Sequence, residues 1–135
     1  MSMPQFDDIT EPAIAALVDN FYAKARQDAL IGPVFDDAIA DWDEHLHKLR
    51  DFWSSVMLTS GRYKGNPMAA HLPLPIEPGF FDRWLALWRE TAGELFAPAI
   101  AARFRDKADR IAESLKLALF YRPGAIPIAR RASPA

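Results

Sequence analysis

Asn66-Pro67-Met68-Ala69-Ala70-His71-Leu72-Pro73-Leu74 is the stretch on which the reading of this chain turns. Asn66 can cap a helix, Pro67 suits the first helical position, and Pro73 bars a helix from running past about Leu72. What remains is a peg of roughly a turn and a half. His71 sits at its end with apolar neighbours on both sides. An imidazole buried there is costly unless its nitrogens find partners. Two kinds of partner are open at this point: a metal ion, or an ordinary hydrogen bond.

On the N-terminal side of the peg, Ser60-Gly61-Arg62-Tyr63-Lys64-Gly65 reads as a loop bounded by two glycines. Before it, Asp41 caps a helix expected over about 42–59, with Trp42, Leu46, Leu49, Phe52, Trp53, Val56 and Met57 on its apolar face. His45 falls on the margin of that face, whereas His47 falls nearly opposite and is expected in solvent. Further back, Thr10, Glu11 and Pro12 start a helix over about 11–27. Its stripe is Ile14, Leu17, Val18, Phe21 and Ala25, and Tyr22 lies on the edge. Gly32-Pro33 reads as a break, after which Val34-Phe35 returns to the interior before a short segment at about 36–40.

Beyond the peg, Pro73, Pro75 and Pro78-Gly79 keep the chain irregular to about Phe80. A long helix to about Phe96 carries Phe81, Trp84, Leu85, Trp88, Thr91 and Leu95 on one side. Pro98 opens a last helix to about Arg122, whose face is Ile100, Phe104, Ile111, Leu115 and Leu119. The tail 123–135 has no periodicity and is expected to be mobile. No strand or repeat is expected, so the class is all-α: one domain over 1–135, with a helical core at about 10–122. Long connections between such helices leave gaps that host ligands.

The chain has 135 residues, half of them hydrophobic, with nine Phe, four Trp and three Tyr. Such a share of rings builds a core or lines a cavity for a flat ligand. A net charge of −2 gives no basic field to recruit nucleic acid or an anionic membrane. Cysteine is absent, which rules out disulfides, thiolate ligands and thiol nucleophiles. The acidic start does not read as a signal peptide, and no apolar run approaches about 20 residues. A cytoplasmic protein that binds neither membrane nor nucleic acid is the expectation.

His45 and His47 are two residues apart, on different helix faces, so a metal shared between them is not expected. No phosphate loop follows a strand, and no basic recognition helix is present. The remaining set is His71 with Tyr22, His45, Trp84 and an aromatic lining. A haem pocket needs such a set: one axial histidine, and polar donors on the opposite side. The competing reading is a cofactor-free all-α interaction domain in which His71 is hydrogen-bonded and the rings are core.

Ordered matches resemble one family. Asn20-Phe21-Tyr22, Gly32-Pro33-Val34-Phe35, Trp42-Asp43-Glu44-His45, Phe52-Trp53, Tyr63-Lys64-Gly65-Asn66-Pro67, His71-Leu72-Pro73-Leu74 and Phe80-Phe81-Asp82-Arg83-Trp84 look like group III truncated haemoglobins. The resemblance spans about 8–122, and the glycine pairs of other truncated globins are lacking here as in that group. It implies a two-on-two helical sandwich around haem b, with His71 as the iron ligand. Tyr22 and Trp84 would be polar donors to a bound gas, and His45 would take the distal position with Leu49 beside it. Phe35, Phe52 and Trp53 would touch the porphyrin, and Lys48, Arg62 or Tyr63 would meet the propionates. The implied ligands are O2, NO or peroxide. NO-dioxygenase or peroxidase-like chemistry would need a separate electron donor.

Overall fold

A computed structural model describes residues 5–66 and 76–120. The peg with His71 and the tail 123–135 therefore lie outside the described residues. The first stripe is realised in α1, Glu11–Ala25, where the Thr10 hydroxyl accepts from the Ala13 amide at 3.2 Å and Pro12 occupies the first turn. Ile14, Leu17, Val18, Phe21 and Ala25 are buried as expected, and Tyr22 joins them rather than resting on the edge. The helix stops at Ala25, short of the expected end.

Gly32-Pro33 does not interrupt the chain; it opens α2, Gly32–Ala38. Proline lacks an N–H that the first helical turn would leave unpaired anyway, so the same dipeptide can start a helix as well as break one. Gly32 is needed for close approach. A Cβ there would stand 2.7 Å from the Arg26 carbonyl oxygen, a backbone atom held in the turn after α1. Gly32→Ala is therefore expected to lower folding stability by about 1–3 kcal/mol, read from urea unfolding.

Asp28 fixes the same turn. Its carboxylate accepts from the Leu30 and Ile31 amides, both at 3.1 Å, and from Arg83 Nε at 2.7 Å. Desolvation pushes its pKa up, but Arg83 and the two amides more than offset this and hold it below the usual aspartate value. A depressed carboxyl adds stability above its unfolded pKa and loses it as pH falls through the folded value. Thermal melts of the wild type and Asp28→Asn should thus differ most at neutral pH and converge in acid. A constant gap between the two down to pH 2 would contradict the assignment.

The third helix, α3, spans Trp42–Leu58, capped by Asp41, whose carboxylate accepts from the Glu44 amide at 3.1 Å. Thr59 ends it in the left-handed region, at φ 54°. The fourth, α4, runs Pro78–Leu95, and the fifth, α5, runs Pro98–Phe120. α1 packs on α3, α4 packs on α5, and α1 joins the two pairs by lying on α4. No strand occurs among the described residues. Phe6 instead makes a single parallel bridge beside Phe96, its amide donating to the Leu95 carbonyl at 2.9 Å.

The core lies where the helices meet. Phe21, Trp53, Trp88, Phe96 and Phe104 are buried there, each contributing about 1.5–3 kcal/mol by burial. Two buried polar side chains are satisfied within the core: Trp88 Nε1–H donates to the Phe104 carbonyl, and Thr91 to the Leu87 carbonyl. Lys24 bridges to Glu90 and Glu94, and Arg50 to Asp19, lacing α1 to α4 and α3. No described helix is long and apolar enough to cross a membrane.

Candidate functional site

Two of the expected donors meet. Tyr22 sits on the inner face of α1 and Trp84 one helical turn before the buried Trp88 on α4. Trp84, whose only donor is Nε1–H, hydrogen-bonds to the Tyr22 phenol. Burial pushes the phenol's pKa far up, and the Trp84 bond opposes this only in part, so Tyr22 keeps its proton. The resemblance implies two donors side by side. Here the indole N–H serves as donor toward the phenol oxygen, which leaves the Tyr22 O–H as the hydrogen still to be directed.

Rings close round this pair. Phe21 stands edge-on to Tyr22 at 4.7 Å and to Trp84 at 5.4 Å, and Phe35 stands edge-on to Tyr22 at 5.4 Å. His45 presents its ring edge-on to Tyr22 at 6.0 Å and to Trp42 at 5.7 Å, and its Nε2 is buried. The residue at the margin of the α3 face thus turns toward the phenol. His47 is exposed as expected, 3.4 Å from Asp51.

The α3 stripe continues from His45 through Leu49, Phe52 and Val56, at the spacing of one helical face. All four stay half-buried, whereas Trp53 and Ser54 on the neighbouring face are fully buried. The stripe ends at a hollow of about 460 Å³ lined by the apolar Phe52, Val56, Ile111 and Leu115 and the polar Asn66, Lys107, Arg110 and Ser114. That volume falls in the ordinary range for small-molecule sites. A half-covered apolar stripe with a polar pair at one end and a hollow at the other fits a flat, apolar group such as haem.

The remaining expected residues are dispersed. Lys48 reaches back to Glu44 at 3.0 Å, and Arg62 lies 3.4 Å from Glu11. Tyr63 packs its ring edge-on against Phe52 at 5.2 Å, and its amide donates to Ser55 Oγ at 2.9 Å. Trp53 is built into the core, stacked on Trp88 at 4.3 Å, rather than along the half-open stripe. Trp42, Arg26 and Phe80 were not anticipated as part of the surround. The Arg26 guanidinium lies 4.2 Å over the Trp42 ring, and Phe80 lies 5.6 Å from Phe35. The spacing of Trp42 and His45 was a usable signal, since residues three apart share a helix face. Arg26 had none, because its contact depends on how two helices approach.

Comparison with known proteins shows the family and the fold. The family model described as bacterial-like globin matches residues 5–119. The chain is 34% identical over 121 residues to the group 3 truncated haemoglobin ctb of Campylobacter jejuni, covering 86% of this chain and 95% of that one. It is 30% identical over 90 residues to the group 2 truncated haemoglobin YjbI of Bacillus subtilis, covering 63% and 66%. The crystal structure of group III truncated haemoglobin from Campylobacter jejuni superposes with a TM-score of 0.83 at 33% identity, covering 92% of this chain and all of that one.

Proposed function

Because the chain belongs to the bacterial-like globins and, within them, to the haem-binding group III truncated haemoglobins, we propose that it holds haem b through His71 and retains O2 beneath Tyr22. The observation that carries this reading is the pairing of the buried Tyr22 with the half-buried Trp84 at the head of the half-open α3 stripe. Leu49 and Phe52 would lie against the flat face of the group, with Phe35 at its edge. Lys48, Arg62 and Tyr63 are proposed for its propionates, the first two sharing their charge with Glu44 and Glu11.

Bound haem supplies an open iron position for a diatomic ligand and one-electron redox chemistry. The chain supplies the surroundings. Tyr22 keeps a proton to give, because burial holds its phenol neutral; Trp84 fixes the phenol oxygen and so aims that proton. Phe21, Phe35 and Trp42 exclude water, which strengthens any hydrogen bond made inside. His45 would limit access from the α3 side.

A strong donor slows release, which suits turnover better than carriage. Dioxygenation of NO or reduction of peroxide is the proposed chemistry, with an unidentified electron donor and a cytoplasmic setting. The test is expression with haem supply. A visible spectrum with a Soret band that shifts on adding CO is expected, followed by rapid loss of the oxy spectrum on mixing with NO, or of the ferric spectrum with peroxide. No Soret band with haem in excess would return the chain to a cofactor-free interaction domain. A haem protein inert to both NO and peroxide would be a binder only.

A further inference from the structure

Three of the four tryptophans stand in one row. Trp84 and Trp88 lie parallel on α4, with ring centroids 5.5 Å apart and planes 5° apart. Trp53 of α3 stacks on Trp88 at 4.3 Å and 21°. One end of the row is the indole bonded to Tyr22. From the other end, Phe52 lies 5.6 Å from Trp53 and 5.2 Å from Tyr63, a half-exposed phenol in the loop after α3. A core needs apolar volume, which leucine or phenylalanine supplies. It does not need indoles stacked in register from a polar site toward the surface.

We propose that this row carries oxidising equivalents from the Tyr22–Trp84 pair outward to Tyr63, a function that rests on the redox part of the reading above. Indoles and phenols are the side chains of this cysteine-free sequence that most readily give up one electron. Trp84 yields an electron to the oxidised site, Trp88 refills Trp84, and Trp53 refills Trp88. Trp88 is fully buried and its N–H is held by the Phe104 carbonyl, a weak base, so the indole keeps its proton and the hole stays mobile. Tyr63 then refills Trp53 across Phe52, whose ring is too hard to oxidise and acts as a bridge. Tyr63 releases its phenolic proton to water and becomes a neutral radical. A one-electron reductant in solution, such as ascorbate, restores it with one electron while water returns the proton. Two such passages supply the two electrons that, with two protons from solvent, reduce one peroxide to two waters.

The test treats the ferric haem-loaded protein with hydrogen peroxide in the presence of a nitroso spin trap. Adducts are mapped by mass spectrometry and radicals are followed by freeze-quench electron paramagnetic resonance. The wild type should carry its adduct on Tyr63, and ascorbate should suppress it. Trp88→Phe should lose that adduct and accumulate oxidation products on Tyr22 and Trp84. Trp53→Phe breaks the row at a second point with the same expected loss, which keeps the test decisive if one variant does not fold. An undiminished Tyr63 adduct in both folded variants, with peroxide consumed, would overturn the route alone. A haem spectrum untouched by peroxide would overturn the redox reading, and the route with it, because no oxidant would reach the row.

Discussion

Replacing His71 by alanine is expected to remove the proposed axial imidazole and with it stable haem. Transfer of haem to an acceptor apoprotein should accelerate by more than the roughly 10–100-fold that changes around a metal site's ligands cost, since here the ligand itself goes. Free imidazole added to the variant should restore the ligation spectrum. The sequence offers few substitutes: cysteine is absent and only His45 and His47 remain. The His47 side chain is 70% exposed and lies beside Asp51. His45 faces Tyr22, within the donor wall. An unchanged spectrum in His71→Ala, together with a changed one in His45→Ala, would move the axial ligand to α3 and invert the pocket.

How much of this was legible in the sequence depended on whether a signal was local. The faces of α1, α4 and α5 followed from helical spacing because burial repeats every turn. The Glu44–Lys48 pair was equally local, an (i, i+4) match readable from the letters, and it divides the charge of a residue expected at a propionate. Gly32-Pro33 misled because a proline looks the same whether it ends one helix or opens the next. Ser54 gave no hint at all. It is fully buried and donates to Glu11 at 2.7 Å, a partner 43 residues away, while also sharing a hydrogen bond with Ser60 at 2.7 Å. The Phe6 bridge and the Arg26–Trp42 contact were hidden for the same reason. The site showed the same division: its members could be named from ordered motifs, but the direction of the Trp84 bond depends on where α1 and α4 meet.

That direction leads to the second large expected effect. Tyr22→Phe removes the proton proposed to reach the ligand while leaving a ring to fill the nest. A hydrogen bond to a charged acceptor contributes about 1.5–3 kcal/mol, so O2 release should speed up roughly 10- to 150-fold. Had Trp84 been a second, independent donor, Trp84→Phe would cost a comparable factor and the double variant the product of the two. With its single N–H given to Tyr22, Trp84 acts through the phenol. Trp84→Phe should then have the smaller effect alone and almost none once Tyr22 is already phenylalanine. Stopped-flow O2 dissociation rates of the four proteins close the cycle, and coupling of about 0.5–3 kcal/mol is expected for residues in one hydrogen-bond network. Off-rates that multiply would show that Trp84 addresses the ligand directly. Because burial keeps Tyr22 protonated, the wild-type off-rate should also stay flat from neutral pH into the range where an exposed phenol ionises. A rise there would mean that the donor is being lost and that the nest does not shield it.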